Sequence, residues 1–386
     1  MTRLAIALLL IATPVASIAT RRAIYVLAPV GVVLTLIAWL LAPGDRGPRE
    51  LRRAMFSTLG LLSIFLTIWA AASLLWTPFV VGPTERFAKT ASIFALTAVA
   101  AALLPERTRT SNLYLLPIGA AAGSIALIAL VFFGPRLAVN RFDPEFSLML
   151  RAAYSIALLG WPALGALAIR QKPQAAVALA FIMAAAIAVT RDPLAYAAVL
   201  LAAGVFVAAI YDVRRTGFWL GNALAALMLA APLAALAVSA LAPHVEFLRP
   251  AAAWGDVLTR DGLLRALIGH GYDSARLGVQ QGYLDRAVPQ SILFEVWFEL
   301  GVVGALAMAF VLKRAASLSA AAPNGMAPYL LAGLTATFAL CAFGLGVAPV
   351  WWATLLALAG FAFALLRHGH PRKTRHGPQI KTQTFP

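Results

Sequence analysis

The stretch Ile268–Leu306, "IGHGYDSARLGVQQGYLDRAVPQSILFEVWFELGVVGAL", changes character halfway along. Its first half carries His270, Tyr272, Asp273, Arg276, Asp285, Arg286 and Gln290. From Ser291 onward it is apolar to about residue 312, with two carboxylates, Glu295 and Glu299, inside the run. An apolar run of roughly 20 residues is long enough to cross a hydrocarbon core of about 30 Å. The stretch therefore reads as a polar loop delivered to the mouth of a membrane helix that contains acids.

Similar apolar runs lie on both sides of it. They fall near 4–20, 23–42, 54–75, 91–104, 113–133, 147–168, 175–189, 194–210, 219–242, 291–312, 327–345 and 349–366. The fourth, seventh and eighth are short for a perpendicular crossing. Over the 386 residues, 62% are hydrophobic and only 12% charged, where a soluble domain has about half and a quarter. The expected fold is an all-α polytopic membrane protein of about 12 transmembrane helices, one integral membrane domain over 1–386. A membrane barrel would instead need short alternating segments. No internal repeat is evident, so the inverted-repeat pattern of many transporters is not supported.

The charge pattern orients the chain. Lys and Arg in short loops mark the cytoplasmic side. "GDRGPRELRR", "ERTRTSN", "RQKPQ", "YDVRRTG" and "KRAAS" share one side if the spans alternate, and so does the basic tail 367–386. Both termini are expected in the cytoplasm. Arg21 and Arg22 break the pattern. The first residues, "MTRLAIALLLIATPVASIA", have the form of a signal peptide; the paired arginines and the many later spans favour an uncleaved first helix. The net charge of +16 fits membrane borders and anionic lipid better than nucleic acid, because no basic soluble domain exists to bind it. The single cysteine, Cys341, allows no intrachain disulfide.

The other side receives "TPFVVGPTERFAKT", "GPRLAVNRFDPEF", "TRDP" and one long loop, residues 243–290. Loops of that length are usually functional. This one holds Arg249, Arg260, Arg265, Arg276 and Arg286, and outer loops are normally poor in such charge. Within it, Trp254, Val257, Leu258 and Leu264 have helical spacing, so "AAWGDVLTRDGLLRALI" is expected as an amphipathic helix along the membrane face. Arg151, inside "FSLMLRAAYSIALLGWPAL", and Arg191, at the start of the eighth span, map to the same side as Arg249 and Arg276. Such arginines can snorkel to the interface. Converging, they suit phosphate oxygens bound bidentately, as in a lipid-linked pyrophosphate.

Ser291, Glu295 and Glu299 are four residues apart and share one helix face. Glu299 lies about 12 Å along the helix from Ser291 at about 1.5 Å per residue. An acid in a membrane helix faces the bundle interior or a cavity, usually with a partner; Glu299 reads as either a site wall or a structural anchor. His270 and Tyr272 are candidate acid–base or binding groups, although a loop histidine is more often simply solvated. No metal motif, nucleotide loop or hydrolase signature is present. His368, His370 and His376 lie among Arg and Lys in the tail and read as a solvated, lipid-touching segment.

The order of a large polar outer loop, then "GHGYDSAR", then "PQSILFEVWFELGVVGA" resembles the bacterial O-antigen ligases and related polysaccharide polymerases. These are twelve-span membrane glycosyltransferases of the GT-C type. Glu299, Leu300, Gly301 and Gly304 match the family's E-L-G-x-x-G ending, and Ser291 matches the second residue of its His-Asn or His-Ser pair. "LRAAYSIALLGWPAL" looks like the family's arginine-led span, and Thr190–Arg191 like its Ser-Arg opening. The resemblance implies metal-free and nucleotide-free transfer of a glycan from undecaprenyl pyrophosphate, on the periplasmic side. The acceptor would be lipid A-core or another glycan. It implies Arg151, Arg191, Arg249, Arg276, Tyr272 and Ser291 as binding residues, with arginines holding the pyrophosphate. One departure matters: Gln290 stands where the family has its catalytic histidine, and Val288 where an earlier histidine often stands. Glutamine has no usable proton affinity. Catalysis would then use Glu295 or His270 as base, with Gln290 positioning the hydroxyl. Otherwise the chain keeps a lipid-glycan site, as a non-catalytic binder or transporter, without the reaction.

Overall fold

The computed structural model describes residues 2–19, 21–41, 47–79, 81–104, 112–133, 145–241, 244–260, 262–323, 325–346 and 349–367. The described residues form helices and connecting turns, with no strand among them. In chain order these are α1 (Thr2–Ala7), a π turn (Leu8–Ala12), α2 (Thr13–Ala19), α3 (Arg21–Leu41), α4 (Gly47–Met55), α5 (Thr58–Ser73) and α6 (Pro83–Leu103). Then follow α7 (Leu115–Phe133), α8 (Glu145–Ile169), α9 (Pro173–Thr190), α10 (Pro193–Tyr211) and α11 (Val213–Leu241). The long connection after α11 carries α12 (Arg249–Arg260), α13 (Leu263–Ile268) and α14 (Ser274–Gln281). The chain ends its described part with α15 (Ile292–Ala320), α16 (Ala327–Phe343) and α17 (Val350–Arg367).

Each of the twelve apolar runs contains a helix. Among the described residues, eight helices are long and apolar enough to cross a membrane, or nine if the bent pair α4–α5 counts as one span. Thr2–Ala16, Ala327–Phe343 and Val350–Leu366 are apolar but shorter. The fourth run is longer than its sequence suggested, because α6 begins at Pro83, where proline's fixed φ suits a first helical turn. The third run is not straight: α4 and α5 meet at 67°. Gly60 makes the corner, since a Cβ there would lie 2.1 Å from the Ala54 carbonyl. Ser57 caps α5 by accepting the Gly60 amide at 3.0 Å.

α8 is the axle of the bundle: 89% of its apolar window is buried. Gly160 and Gly165 let neighbours close in, with Met183 of α9 against the first and Leu366 of α17 against the second. The outer helices turn large side chains such as Phe181, Leu200, Leu233 and Phe310 outward. Water would penalise so much exposed apolar surface; lipid does not. The chain is an all-α, multi-pass membrane protein.

Contacts at the helix ends join segments distant in sequence. At one end, Arg170 lies over the Tyr114 ring at 5.5 Å, and Gly217 packs against Ala320. At the other, Arg86 meets Asp273, and the Gly346 amide donates to the Gln290 carbonyl at 2.9 Å.

The amphipathic helix is shorter than its spacing implied. α12 stops at Arg260, and Trp254 is buried against Phe294 of α15 at 5.6 Å. Leu264 belongs instead to α13 and is exposed. Gly255 brings α12 down on α11, where a Cβ would meet Ser239 Oγ at 2.4 Å. The apolar face of α12 therefore packs on protein. The tail histidines 368, 370 and 376, and most of the segment 367–386, lie outside the described residues, as do residues 134–144.

Candidate functional site

The site is built on a break in α15. Gly301 has φ 66° and ψ −164°, dihedrals open essentially to glycine alone. A Cβ there would also lie 2.4 Å from the Leu267 carbonyl. The break takes the preceding carbonyls out of helical register, and a buried carbonyl left unbonded costs about 1–3 kcal/mol. Three outside donors take them. The His270 amide donates to the Phe298 carbonyl at 2.8 Å, and the Gly271 amide to the Glu299 carbonyl at 3.0 Å. The Trp69 indole of α5 donates to the Leu300 carbonyl at 3.0 Å.

The turn Gly269–Asp273 thus plugs into the broken helix. Gly269 and Gly271 have φ of 76° and 96°. A Cβ on Gly269 would meet the Glu299 carbonyl at 2.2 Å, and one on Gly271 would meet Thr77 at 2.6 Å. Both glycines of Gly-His-Gly are demanded by conformation and by close approach together.

Other contacts hold the turn from its far side. The Tyr272 amide donates to Ser73 Oγ at 3.0 Å, and the Thr77 hydroxyl to the Tyr272 carbonyl at 3.3 Å. The Tyr272 ring meets Phe87 edge-on at 5.5 Å. Burial holds its phenol well above its ordinary value, so it is a neutral donor. The His270 ring stacks on Phe298 at 4.0 Å, and His270 Nδ1 lies 3.1 Å from the Phe298 carbonyl.

Asp273 is the electrostatic centre. Its buried carboxylate takes Arg86 Nη1 at 3.1 Å, Arg276 Nε at 2.8 Å and Arg276 Nη2 at 2.5 Å. Desolvation pushes its pKa up to about 6 against the pull of Arg86. Arg276 spends its remaining Nη1 on Gln280 at 2.8 Å. Because the Asp273 side chain faces these cations, it does not cap α14. Glu299 does so: its Oε1 accepts the Ala275 amide at 3.2 Å, and only 8% of the residue is exposed. A carboxylate at a helix N-terminus meets unpaired amides and a favourable dipole.

Ser291 is the N-cap of α15 and accepts the Phe294 amide at 3.3 Å. Glu295 is half-buried one turn on, so near the Gly346 backbone that a Cβ there would lie 2.1 Å from Glu295 Oε1. The Gln290 side chain is exposed at the α15 mouth. Ser291, Glu295 and Glu299 share a face as expected, and two of the three cap helices.

The four arginines fall into separate settings. Arg276 joins Arg86 at Asp273. Arg151 is 2% exposed inside α8. Tyr154, three residues on and on the same side of the helix, lies near Asp192, the N-cap of α10 and the neighbour of exposed Arg191. Arg249 is exposed at the start of α12 and pairs with Glu246 at 3.7 Å.

Three participants were not singled out from sequence: Arg86, Asp273 as a charge centre, and Trp69. Arg86 had one signal, a lone arginine in a segment expected on the outer side. No group of three or more His, Cys, Asp or Glu among the described residues is arranged to hold a metal ion. Comparison of the chain with protein-family models, curated proteins and solved structures finds no match.

Proposed function

We propose that the protein is an O-antigen ligase-like glycosyltransferase. It would move a glycan from undecaprenyl pyrophosphate to an acceptor sugar, lipid A-core or another glycan, on the periplasmic face of the bacterial inner membrane. The observation that supports this most is the Gly-His-Gly-Tyr-Asp turn locked into the broken α15. It gathers an imidazole and a phenol with two guanidiniums, Arg276 of α14 and Arg86 of α6, about one rigid feature at the end of an apolar bundle. A polyprenyl pyrophosphate glycan needs that combination: apolar helix surface for the chain, cations for the leaving diphosphate, and a proton acceptor for the attacking hydroxyl. The motif residues that carry the resemblance also hold the turn, since Gly301 breaks α15 and Glu299 caps α14.

One observation favours a second reading. Gln290 cannot take a proton, so a chain without another base would be a non-catalytic binder of lipid-linked glycans. A polymerase of the same superfamily would use the same site with a growing glycan as acceptor.

The test is purified protein in lipid nanodiscs with an undecaprenyl pyrophosphate oligosaccharide and a lipid A-core acceptor. Glycan transferred to the acceptor supports the ligase, and glycan added to a second donor supports the polymerase. Donor bound without turnover supports the binder, and no donor binding overturns all three. A deletion strain that keeps its surface polysaccharide unchanged would also count against the first two.

A further inference from the structure

We infer that the break at Gly301 fixes the tautomer of His270, placing the ring proton on Nδ1 and the lone pair on Nε2, and so makes His270 the proton acceptor that Gln290 cannot be. The role in transfer rests on the reading above; the tautomer does not. A carbonyl oxygen only accepts. Since Nδ1 lies 3.1 Å from the Phe298 carbonyl, that nitrogen must carry the hydrogen, and a neutral imidazole then has its acceptor lone pair on Nε2. The Phe298 carbonyl faces the ring because Gly301 has turned the chain out of helical register. The same oxygen takes the His270 amide at 2.8 Å, so backbone and ring are aimed together. Stacking on Phe298 at 4.0 Å and 11° leaves the ring one plane in which to lie. A solvated imidazole favours the opposite tautomer, with its hydrogen on Nε2.

Alternative bases are worse placed. Glu295 is pressed against the Gly346 backbone. Glu299 is buried with Oε1 on the Ala275 amide, and Asp273 is held by Arg86 and Arg276. Among the described residues, the elements packed about the turn also carry Tyr272, Arg265 and, on α6, the exposed Glu85–Lys89 pair. In transfer, the acceptor hydroxyl oxygen attacks the anomeric carbon and the bond from that carbon to the diphosphate oxygen breaks. The hydroxyl proton passes to Nε2, and the diphosphate leaves with the bonding electrons, its charge met by guanidinium. The imidazolium then returns its proton to the departing diphosphate or to water. Phe298 and Gly301 are positioning residues, because they act through His270.

The experiment has two readouts. Protein in nanodiscs with ¹⁵N-labelled histidine is compared with His270→Asn to assign the ring signals. The expected result is a neutral His270 protonated at Nδ1; a ring protonated at Nε2 overturns the inference, whether or not the protein transfers glycan. Gly301→Ala should shift the population toward Nε2–H. Should that variant not fold, Trp69→Phe serves as control: it removes the Leu300 donor and should leave the tautomer as in wild type. Transfer is then measured with the donor and acceptor named above. Asparagine at 270 keeps a donor at the Nδ1 position but has no Nε2 acceptor. His270→Asn should therefore fold and bind donor like wild type while turnover falls about 10²–10⁴-fold, and the limb of its pH–rate profile due to imidazole should vanish. Full turnover in His270→Asn would show a purely structural histidine and overturn the catalytic role. A wild type that binds donor without transferring it would end the transferase reading and the catalytic role with it, while the tautomer still stands or falls by the nitrogen spectrum.

Discussion

Glu299 caps a helix to which it does not belong: its carboxylate accepts the amide of Ala275, 24 residues earlier, at 3.2 Å. The acid in this apolar run is thereby a fastener between α15 and the long loop that carries α14. Replacing it with Ala should cost about 0.5–2 kcal/mol, the usual range for a lost cap, and loosen α14 first. Glu299→Gln keeps an acceptor and should retain most of that stability. Hydrogen exchange over residues 274–281, read alongside thermal unfolding, checks this. Equal protection in the Ala variant and wild type would refute it.

Gly301 and Gly360 should respond in opposite ways to alanine. Gly301 has positive φ and a carbonyl 2.4 Å from any added Cβ, so Gly301→Ala should cost upward of about 2 kcal/mol. Gly360 lies inside α17 with nothing within 4 Å of an added Cβ, and alanine there should stabilise by about 0.5–1 kcal/mol. Melting temperatures of both variants in one detergent decide the matter.

Asp273 should give the protein a measurable response to mild acid. Its folded-state pKa is raised, from an ordinary 3.8 to about 6, by burial. The folded protein therefore takes up a proton as pH falls through about 6, before the unfolded chain does. That favours the fold between about pH 6 and 4, and the contribution is lost as pH rises through about 6. Asp273→Asn should flatten the pH dependence of the melting temperature over that interval. The same protonation weakens the hold on Arg86 and Arg276, so donor affinity should change across the interval in wild type and not in the variant. A wild-type profile that stays flat from pH 7 to 4 would contradict this.

Sidedness can be read with cysteines in a Cys341→Ala background. Gln280 and Lys172 are both exposed, on segments assigned to opposite sides. Gln280→Cys in intact spheroplasts should react with an impermeant maleimide, and Lys172→Cys only after lysis. The reverse pattern would invert the topology and remove the periplasmic site.

Gln290 and Glu295 offer a check on the choice of base. With His270 as acceptor, Glu295→Gln should retain turnover within about tenfold, far from the 10²–10⁴-fold expected of a lost base. Gln290→His restores an imidazole at the α15 mouth and should preserve or raise turnover. A loss of more than about a hundredfold in Glu295→Gln, with donor binding intact, would move the role to Glu295.

Hydropathy carried most of the fold, since helices in lipid must satisfy their own backbone and so declare themselves as long apolar runs. Each of the twelve runs holds a helix. Length was legible only roughly, because polar first turns such as Pro83–Lys89 of α6 belong to a helix that the apolar count starts later. The bend at Gly60 depends on a clash with Ala54 that no periodicity reveals. For the site, the residues of the turn and the face of Ser291, Glu295 and Glu299 were readable from spacing. Their partners were not: Arg86 stands 187 positions before Asp273, and Trp69 stands 231 before Leu300. Spacing within α15 also could not say that Gly301 breaks the helix, because a glycine in an apolar run is more often a packing notch. The decisive fact is that the Leu267 carbonyl occupies the space of a side chain.

A last consequence concerns α11 and α15, joined by a bond that exists because of an absence. Pro232 has no amide hydrogen, so the carbonyl of Met228, four residues before it, has no helical donor. The Trp297 indole fills that vacancy at 2.7 Å. The two positions are therefore energetically coupled. With any other residue at 232, the helical amide returns to the Met228 oxygen, and the indole at 297 shares that acceptor instead of holding it alone. Where 297 lacks a donor, the proline leaves a bare carbonyl in the packed interior. Trp297→Phe should therefore cost more stability beside Pro232 than in a Pro232→Ala background.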